Sequence, residues 1–434
     1  TISLASSMPG ISDAVFIDGW TEPNFAGTPV IEISGSNTHN GLRLLAGSAG
    51  STVRGLAIHS ISGSSLEIYS DNNTIVGSYF GTDTTGVAAG LGSTGNGIVV
   101  VSGAGNVIGG TTVQERNVIV SNFGPGISMN NPGATGTIVT GNYVGIGADG
   151  TTARGNLGAG VSFTNGTSGN IIGGSGAGEG NLISGNTGDG IEFINFSGSN
   201  NNTIQGNMIG TVAANTGDGI RIETASTGNT IGGIGAGEGN TIALNGGIGV
   251  NVIHAGATGN SIRGNSIHSN TSLGIDLGND GVTTNDAGDA DTGPNNRQNT
   301  PVLNAFSSTD GSTIVTVGGS LNSVSSTTFN VDFYTGPLGD ADASGSGEGR
   351  TYIGSTTVLT NGSGNGTFNA TLSANVPASY IISAIATDPS GNSSEFSGTS
   401  ITLLDTIVVN TIADENDGDT TSLTTLIATP GGTG

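Results

Sequence analysis

The chain has 434 residues, 33% of them hydrophobic and 4% aromatic, with 81 glycines, 11 prolines and no cysteine; 32 acidic against 8 basic side chains give a formal charge of −24. Disulfides and thiolate metal sites are excluded, and so strongly acidic a surface repels nucleic acid and anionic membranes, both of which need basic patches. No run of about 18 apolar residues occurs, so no transmembrane helix is expected. The low apolar content suits a repeat protein, in which each short unit buries one or two β-branched residues against its neighbours. Regularly placed Ile and Val argue against a disordered Gly/Ser/Asn-rich chain.

Residues 1–60 read as strands, around Ile2, Val15, Ile31 and Val53, with a loop at Gly19–Asn24 that carries the single tryptophan, Trp20. From about 61 to 278 a repeated unit dominates. Asn106-Val-Ile-Gly-Gly recurs at Asn170 and Asn229, and a partner series, Asn117, Asn181 and Asn240, follows eleven residues later each time. A third series begins at Thr74, Thr137, Thr203 and Ser261; its isoleucines, Ile75, Ile138, Ile204 and Ile262, lie 63, 66 and 58 residues apart. Strands of three to five residues alternate with Gly and Asn, which tolerate the left-handed backbone of sharp corners. Separations of 20 residues, such as Asn181 to Asn201 and Asn240 to Asn260, predict rungs of roughly 20–25 residues. With rungs about 4.8 Å apart, residues 1–298 become a parallel β-helix of about 55–70 Å. The Ile of each unit points inward, and the corner Asn stacks on its equivalents and hydrogen-bonds along the axis, as in cross-β packing.

Residues 279–300 break this pattern with an acidic, Gly/Asn-rich junction. Seven alternating strand candidates follow, at 301–307, 312–321, 327–334, 351–360, 366–373, 379–387 and 395–404. Seven such strands in about 105 residues read as an immunoglobulin-like sandwich. The expected domains are therefore a β-helix over 1–298, a sandwich over 299–404, and a C-terminal strand or linker over 405–434, whose strong strand Thr406-Ile-Val-Val-Asn-Thr-Ile precedes an acidic turn.

The stretch Ile17-Asp-Gly-Trp-Thr-Glu-Pro-Asn-Phe, the Asn-x-Ile-Gly-Gly series and Gly274-Ile-Asp-Leu-Gly resemble secreted and surface proteins of bacteria with right-handed parallel β-helix repeats. Tyr352-Ile-Gly and the Thr387-Asp-Pro-Ser-Gly-Asn segment resemble the Ig-like module that follows the helix there, and Val408-Val-Asn-Thr-Ile-Ala-Asp-Glu-Asn-Asp resembles the opening of CSLREA-type modules. The Leu-Arg-Glu-Ala-Ile segment that follows this opening in the family does not occur here. The resemblance implies an all-β protein, located outside the cell, with a structural or adhesive role.

Parallel β-helices also house carbohydrate-active enzymes, which need paired carboxylates set for acid/base work, or Ca²⁺ with a basic residue. The carboxylates to weigh are Asp189 and Glu192 in Gly-Asp-Gly-Ile-Glu, and Asp218 and Glu223 in Gly-Asp-Gly-Ile-Arg-Ile-Glu. The two Asp residues are 29 positions apart, more than the expected rung, which places them out of line. His39, His59, His254 and His268 have no carboxylate at motif spacing. Ca²⁺ is the better-supported cofactor: Asp286, Asp289 and Asp291 in the junction, and Asp414, Asp417 and Asp419 in the tail, put hard oxygen ligands in short Gly-containing turns. Neither turn completes an EF-hand loop. The expected function is a non-enzymatic structural or adhesive unit of a secreted bacterial surface protein or filament, assembling head-to-tail through its tail segment. Surface glycans are a compatible partner; nucleic acid and membrane insertion are not. The alternative is a polysaccharide lyase, glycosidase, epimerase or glycan-binding module.

Overall fold

The computed structural model describes residues 1–194, 197–308, 314–340, 348–377, 380–398 and 401–402; the expected tail strand at 405–434 lies outside them. The fold is all-β. Three long parallel sheets of ten, nine and nine strands wrap one core as a parallel β-helix, and two antiparallel sheets of three and four strands follow. Strands of two to four residues suffice because each pairs with its equivalent one turn away and contributes two side chains to the interior. In the second sheet, for example, Ile191 and Phe193 are fully buried while Glu192 between them faces out. Phe163 and Phe193 stack on successive rungs with centroids 4.4 Å apart.

The rungs are longer than the sequence spacing suggested. Ile75, Ile108, Val139, Ile172, Ile204, Ile231 and Ile262 form one inward column on successive rungs, 27 to 33 residues apart. The 63- and 66-residue intervals thus span two rungs, and the Asn106/Asn170/Asn229 series alternates with the Thr74/Thr203/Ser261 series on one sheet. The 20-residue separations join corners that are not equivalent. Extra loop residues around Glu115, Glu179 and Glu238, inserted at alternate rungs, account for the length: in two of these loops a backbone N–H, of Gly176 or Gly235, donates to the Glu carboxylate. Nine to ten rungs give a rod of about 45 Å rather than 55–70 Å. The phase also slips once. Val139, not Ile138, is the buried residue of its rung, because Thr137 occupies the place of the corner asparagine.

Three buried asparagine ladders run along the corners. One joins Asn170, Asn202, Asn229 and Asn260, with Nδ2–Oδ1 distances of 2.9–3.0 Å. A second joins Asn117, Asn142, Asn181, Asn207, Asn240 and Asn265 at 2.9–3.0 Å. The third joins Asn122, Asn156, Asn186, Asn215, Asn245 and Asn270 over the same range. Asn142 illustrates the saturation. Its Oδ1 accepts from the backbone N and Nδ2 of Asn117, and its Nδ2 donates to Asn181 Oδ1 and Ile108 O. All four bonds that an amide side chain can make are formed. Such a network tolerates burial because no member is left unmet.

The seven strands after the junction run Val302–Ser308, Ile314–Asn322, Thr328–Pro337, Thr351–Leu359, Asn365–Ser373, Tyr380–Thr387 and Ile401–Thr402. Residues 393–397, read from sequence as the start of the last strand, instead lie buried against the end of the helix. That end is closed by this part of the chain. Ile262 N donates to Ser393 Oγ, Gly264 N to the Tyr334 hydroxyl, Ile267 N to Gly349 O, Ser269 N to Glu348, and Leu277 N to Glu395. Every one of the three sheets thereby has last-strand N–H groups met. Arg263 adds a two-pronged pair with Asp332, at 2.6 and 2.7 Å, in which the Asp is fully buried. Tyr334, Ile385 and Phe396 continue the apolar column of the helix.

Thr137 breaks the first ladder: its Oγ1 is buried without a hydrogen-bond partner, while its N–H still donates to Asn170 Oδ1. Thr137→Asn should restore the column between Asn106 and Asn170 and stabilise the protein by about 1 kcal/mol, whereas Asn170→Ala should cost about 3 kcal/mol or more by stranding buried groups on both sides. Thermal unfolding of the two variants measures both signs; a lower Tm for Thr137→Asn would contradict the ladder as described.

Candidate functional site

The outward column of the second sheet gathers the polar side chains. Register pairing places Arg43, Glu67, Val99, Ser128, Ser162, Glu192, Arg221, Asn251 and Asp276 on nine successive rungs. Of the buried side-chain atoms without a hydrogen-bond partner, four lie in this one column: Arg43 Nε, Ser162 Oγ, Arg221 Nε and Asn251 Oδ1. A shallow groove of about 360 Å³ opens over its middle, with Ser128, Ser162 and Glu192 on the floor, Pro125 and Ala159 on one side and Asn130, Thr164 and Ile194 on the other. Burial pushes the Glu192 carboxyl up to about 7; the Ser162 side chain across the strand pair offsets this only in part, and Asp189 adds to it.

The two Gly-Asp-Gly-Ile copies do lie side by side, because Ile191 and Ile220 are register partners and one rung here takes 29 residues. Their carboxylates hold the corners. Asp189 Oδ1 accepts Asp218 N at 2.7 Å, and Asp218 accepts Ile248 N at 2.7 Å and Asn251 Nδ2 at 2.8 Å. The flanking glycines are required by close approach: a Cβ on Gly190 would stand 2.5 Å from Ile209 Cγ2 and 2.6 Å from Gly219 O. Burial is also the main reason that Asp189 is pushed up to about 6. Arg221 reaches Glu223 at 3.3 Å on the exposed side. Glu192 is thus the carboxyl of this group that faces the groove without a corner to hold.

The second cluster is the junction. Asp286, Asp289 and Asp291 bring carboxylate oxygens within 4.8 Å of one another. Asp289 Oδ1 accepts Asn299 N at 3.0 Å and its Oδ2 accepts Ser323 Oγ at 2.5 Å, so it spans the seam between junction and sandwich. Asp286 accepts Ala290 N, and Asp291 Oδ1 is buried without a partner. Burial, with its two acidic neighbours, pushes Asp289 up to about 6. Hard, clustered oxygens of this kind suit Ca²⁺. Asp414, Asp417 and Asp419 lie outside the described residues.

Among the histidines, His59 does have a carboxylate: Nε2 is 2.9 Å from Glu32 Oε1, and Nδ1 is 3.0 Å from Ser60 Oγ. The partner comes from the preceding rung, 27 residues upstream, and sequence spacing could not reveal it. His59 and Ser60 are buried at a corner, and Ser60 N is bonded to Leu91 O. This trio reads as a corner fastening.

No known sequence family and no curated protein matches the chain. Among solved structures it is similar to the Dettilon tailspike protein (gp208), at 14% identity over 90% of this chain and 87% of that one, with a TM-score of 0.26. A likeness that loose transfers no site or activity.

The raised carboxyls set a pH dependence. Asp189 and Asp289 titrate near 6, and Glu192 and Glu395 near 7, all above their unfolded values near 4. Stability from such groups is fully present below the unfolded value and is lost as pH rises through 6–7. The Tm should therefore be higher at pH 5 than at pH 8. Glu192→Gln should raise the Tm at pH 8 while barely changing it at pH 5, by at most about 3 kcal/mol and less where water reaches the face. A Tm equal or higher at pH 8 would show that these carboxyls are not desolvated.

Proposed function

We propose that the protein is a structural and adhesive unit of a secreted bacterial surface protein or filament. The observation that carries this reading is the polarity of the rod. Its C-terminal end is sealed by the chain's own sandwich, whereas the first strands, Ile2–Ser3 and Phe16–Asp18, are edge strands with no further partner among the described residues. Ile2 and Phe16 are exposed there, at 56% and 63%. Unpaired parallel edges accept an added strand, and Thr406–Ile412 of a neighbouring copy has the composition to supply one. A saturated ladder core gives the stiffness that a spacer needs. Asp189 and Asp218, engaged at corners, are less available as an acid/base pair, which favours this reading over a glycosidase.

Ca²⁺ is the proposed cofactor, held by Asp286, Asp289 and Asp291 and fastening the sandwich to the helix end. The buried, unpartnered oxygen of Asp291 supports it. Electron microscopy of the whole chain and of one lacking residues 405–434 tests the assembly: rods joined end to end for the former and single rods for the latter are expected. Single rods in both would overturn head-to-tail assembly. For the cation, Ca²⁺ at a hundredfold excess over its Kd should stabilise the protein by about 2.7 kcal/mol and should lose this effect in Asp289→Asn. An identical Tm with Ca²⁺ and with EDTA would remove the ion from the account.

A further inference from the structure

We infer that the groove on the second sheet is a binding site for a neutral oligosaccharide lying along the helix axis. The inference is independent of assembly and of Ca²⁺. Four observations converge on it. The floor carries a built polar site: Ser162 is 1% exposed, faces outward between the inward Val161 and Phe163, and its Oγ has no hydrogen-bond partner. A buried hydroxyl left unmet costs about 1–3 kcal/mol, which a ligand group would recover. Glu192 stands on the next rung in register with Ser162. Kept protonated by its surroundings over much of the neutral range, it offers both an O–H donor and a carbonyl acceptor. A sugar hydroxyl is donor and acceptor at once and matches that pair, whereas a carboxylate or phosphate does not.

The apolar side of the groove supplies the complementary feature. Pro125 and Ala159 line it, and two residues upstream of each, on neighbouring rungs, Phe123 and Leu157 stand exposed at 61% and 51%. Residues of this kind at a groove edge give the C–H face of a pyranose ring a surface to cover, while amides and hydroxyls meet its rim. Charge then selects the class. No arginine lines the groove, its ionisable group is a carboxyl, and the chain carries −24 overall, so a polyuronate or sulfated glycan is repelled. The groove crosses consecutive rungs, each displaced by about 4.8 Å, which suits a linear oligomer over a branched cluster.

The test uses the full chain and defined probes: hexasaccharides of glucose, mannose, galactose and N-acetylglucosamine, with polygalacturonate as the acidic comparison, titrated by calorimetry at pH 6. At least one neutral hexasaccharide should bind. Glu192→Ala, Ser162→Ala and Phe123→Ala should each weaken it about tenfold or more, while Glu192→Gln, which keeps a neutral donor and acceptor, should retain most of the affinity. Val113→Ala, on a remote exposed loop, should leave it unchanged, and an unaltered unfolding transition should accompany each variant. Absence of binding to all four neutral probes, preference for polygalacturonate, or binding insensitive to the Glu192, Ser162 and Phe123 replacements would each overturn the proposal.

Discussion

The amide side chain that both accepts and donates along the helix axis is the interaction on which this molecule depends. Each corner asparagine takes two bonds from the rung on one side, gives one to the rung on the other, and returns one to a backbone carbonyl. A chain with so few aromatic and large aliphatic residues cannot stabilise a thick core, and its interior is a narrow column of Ile, Val, Leu and Phe. The ladders compensate by fixing where each corner stands, so that those side chains meet in register. Hydrogen bonds between rungs are individually worth about 1 kcal/mol net. Their larger effect is that any shift of register would break a whole column of them at once.

The same constraint explains what was legible from the residues. Asn106, Asn170 and Asn229, each two before an inward aliphatic residue, announced the β-helix and its ladders without any coordinates. Rung length was not legible, because a corner accepts loops of variable size as long as the next asparagine returns to its column. Thr137 was misread for the same reason: by pattern it heads a Thr-Ile-Val unit, but in space it substitutes for an asparagine. The Asp286–Asp289–Asp291 trio could be seen in advance because its members are close in sequence. The groove could not, since Ser162, Glu192 and Arg221 become neighbours only once a turn of about thirty residues has been closed.

The polar column of the second sheet and the ladders differ in one telling respect. The ladders satisfy themselves; the column does not, leaving atoms of Arg43, Ser162, Arg221 and Asn251 unmet. Stability alone would favour small hydroxyls or paired charges at these places. Unmet groups concentrated on one face are what an interior optimised for rigidity looks like when one surface has been kept for something else.

The closed C-terminal end has a consequence for how the molecule comes apart. In a linear stack each rung is held by its neighbours, so opening starts where a neighbour is missing. Here the far end is locked by backbone bonds to the sandwich and by the buried Arg263–Asp332 pair, leaving the N-terminal rungs to fray first. Amide exchange should therefore be graded along the chain, fastest near Ile2 and Phe16 and slowest near Ile262 and Ile267. A pulling force or a protease would then meet a structure that yields from one direction only.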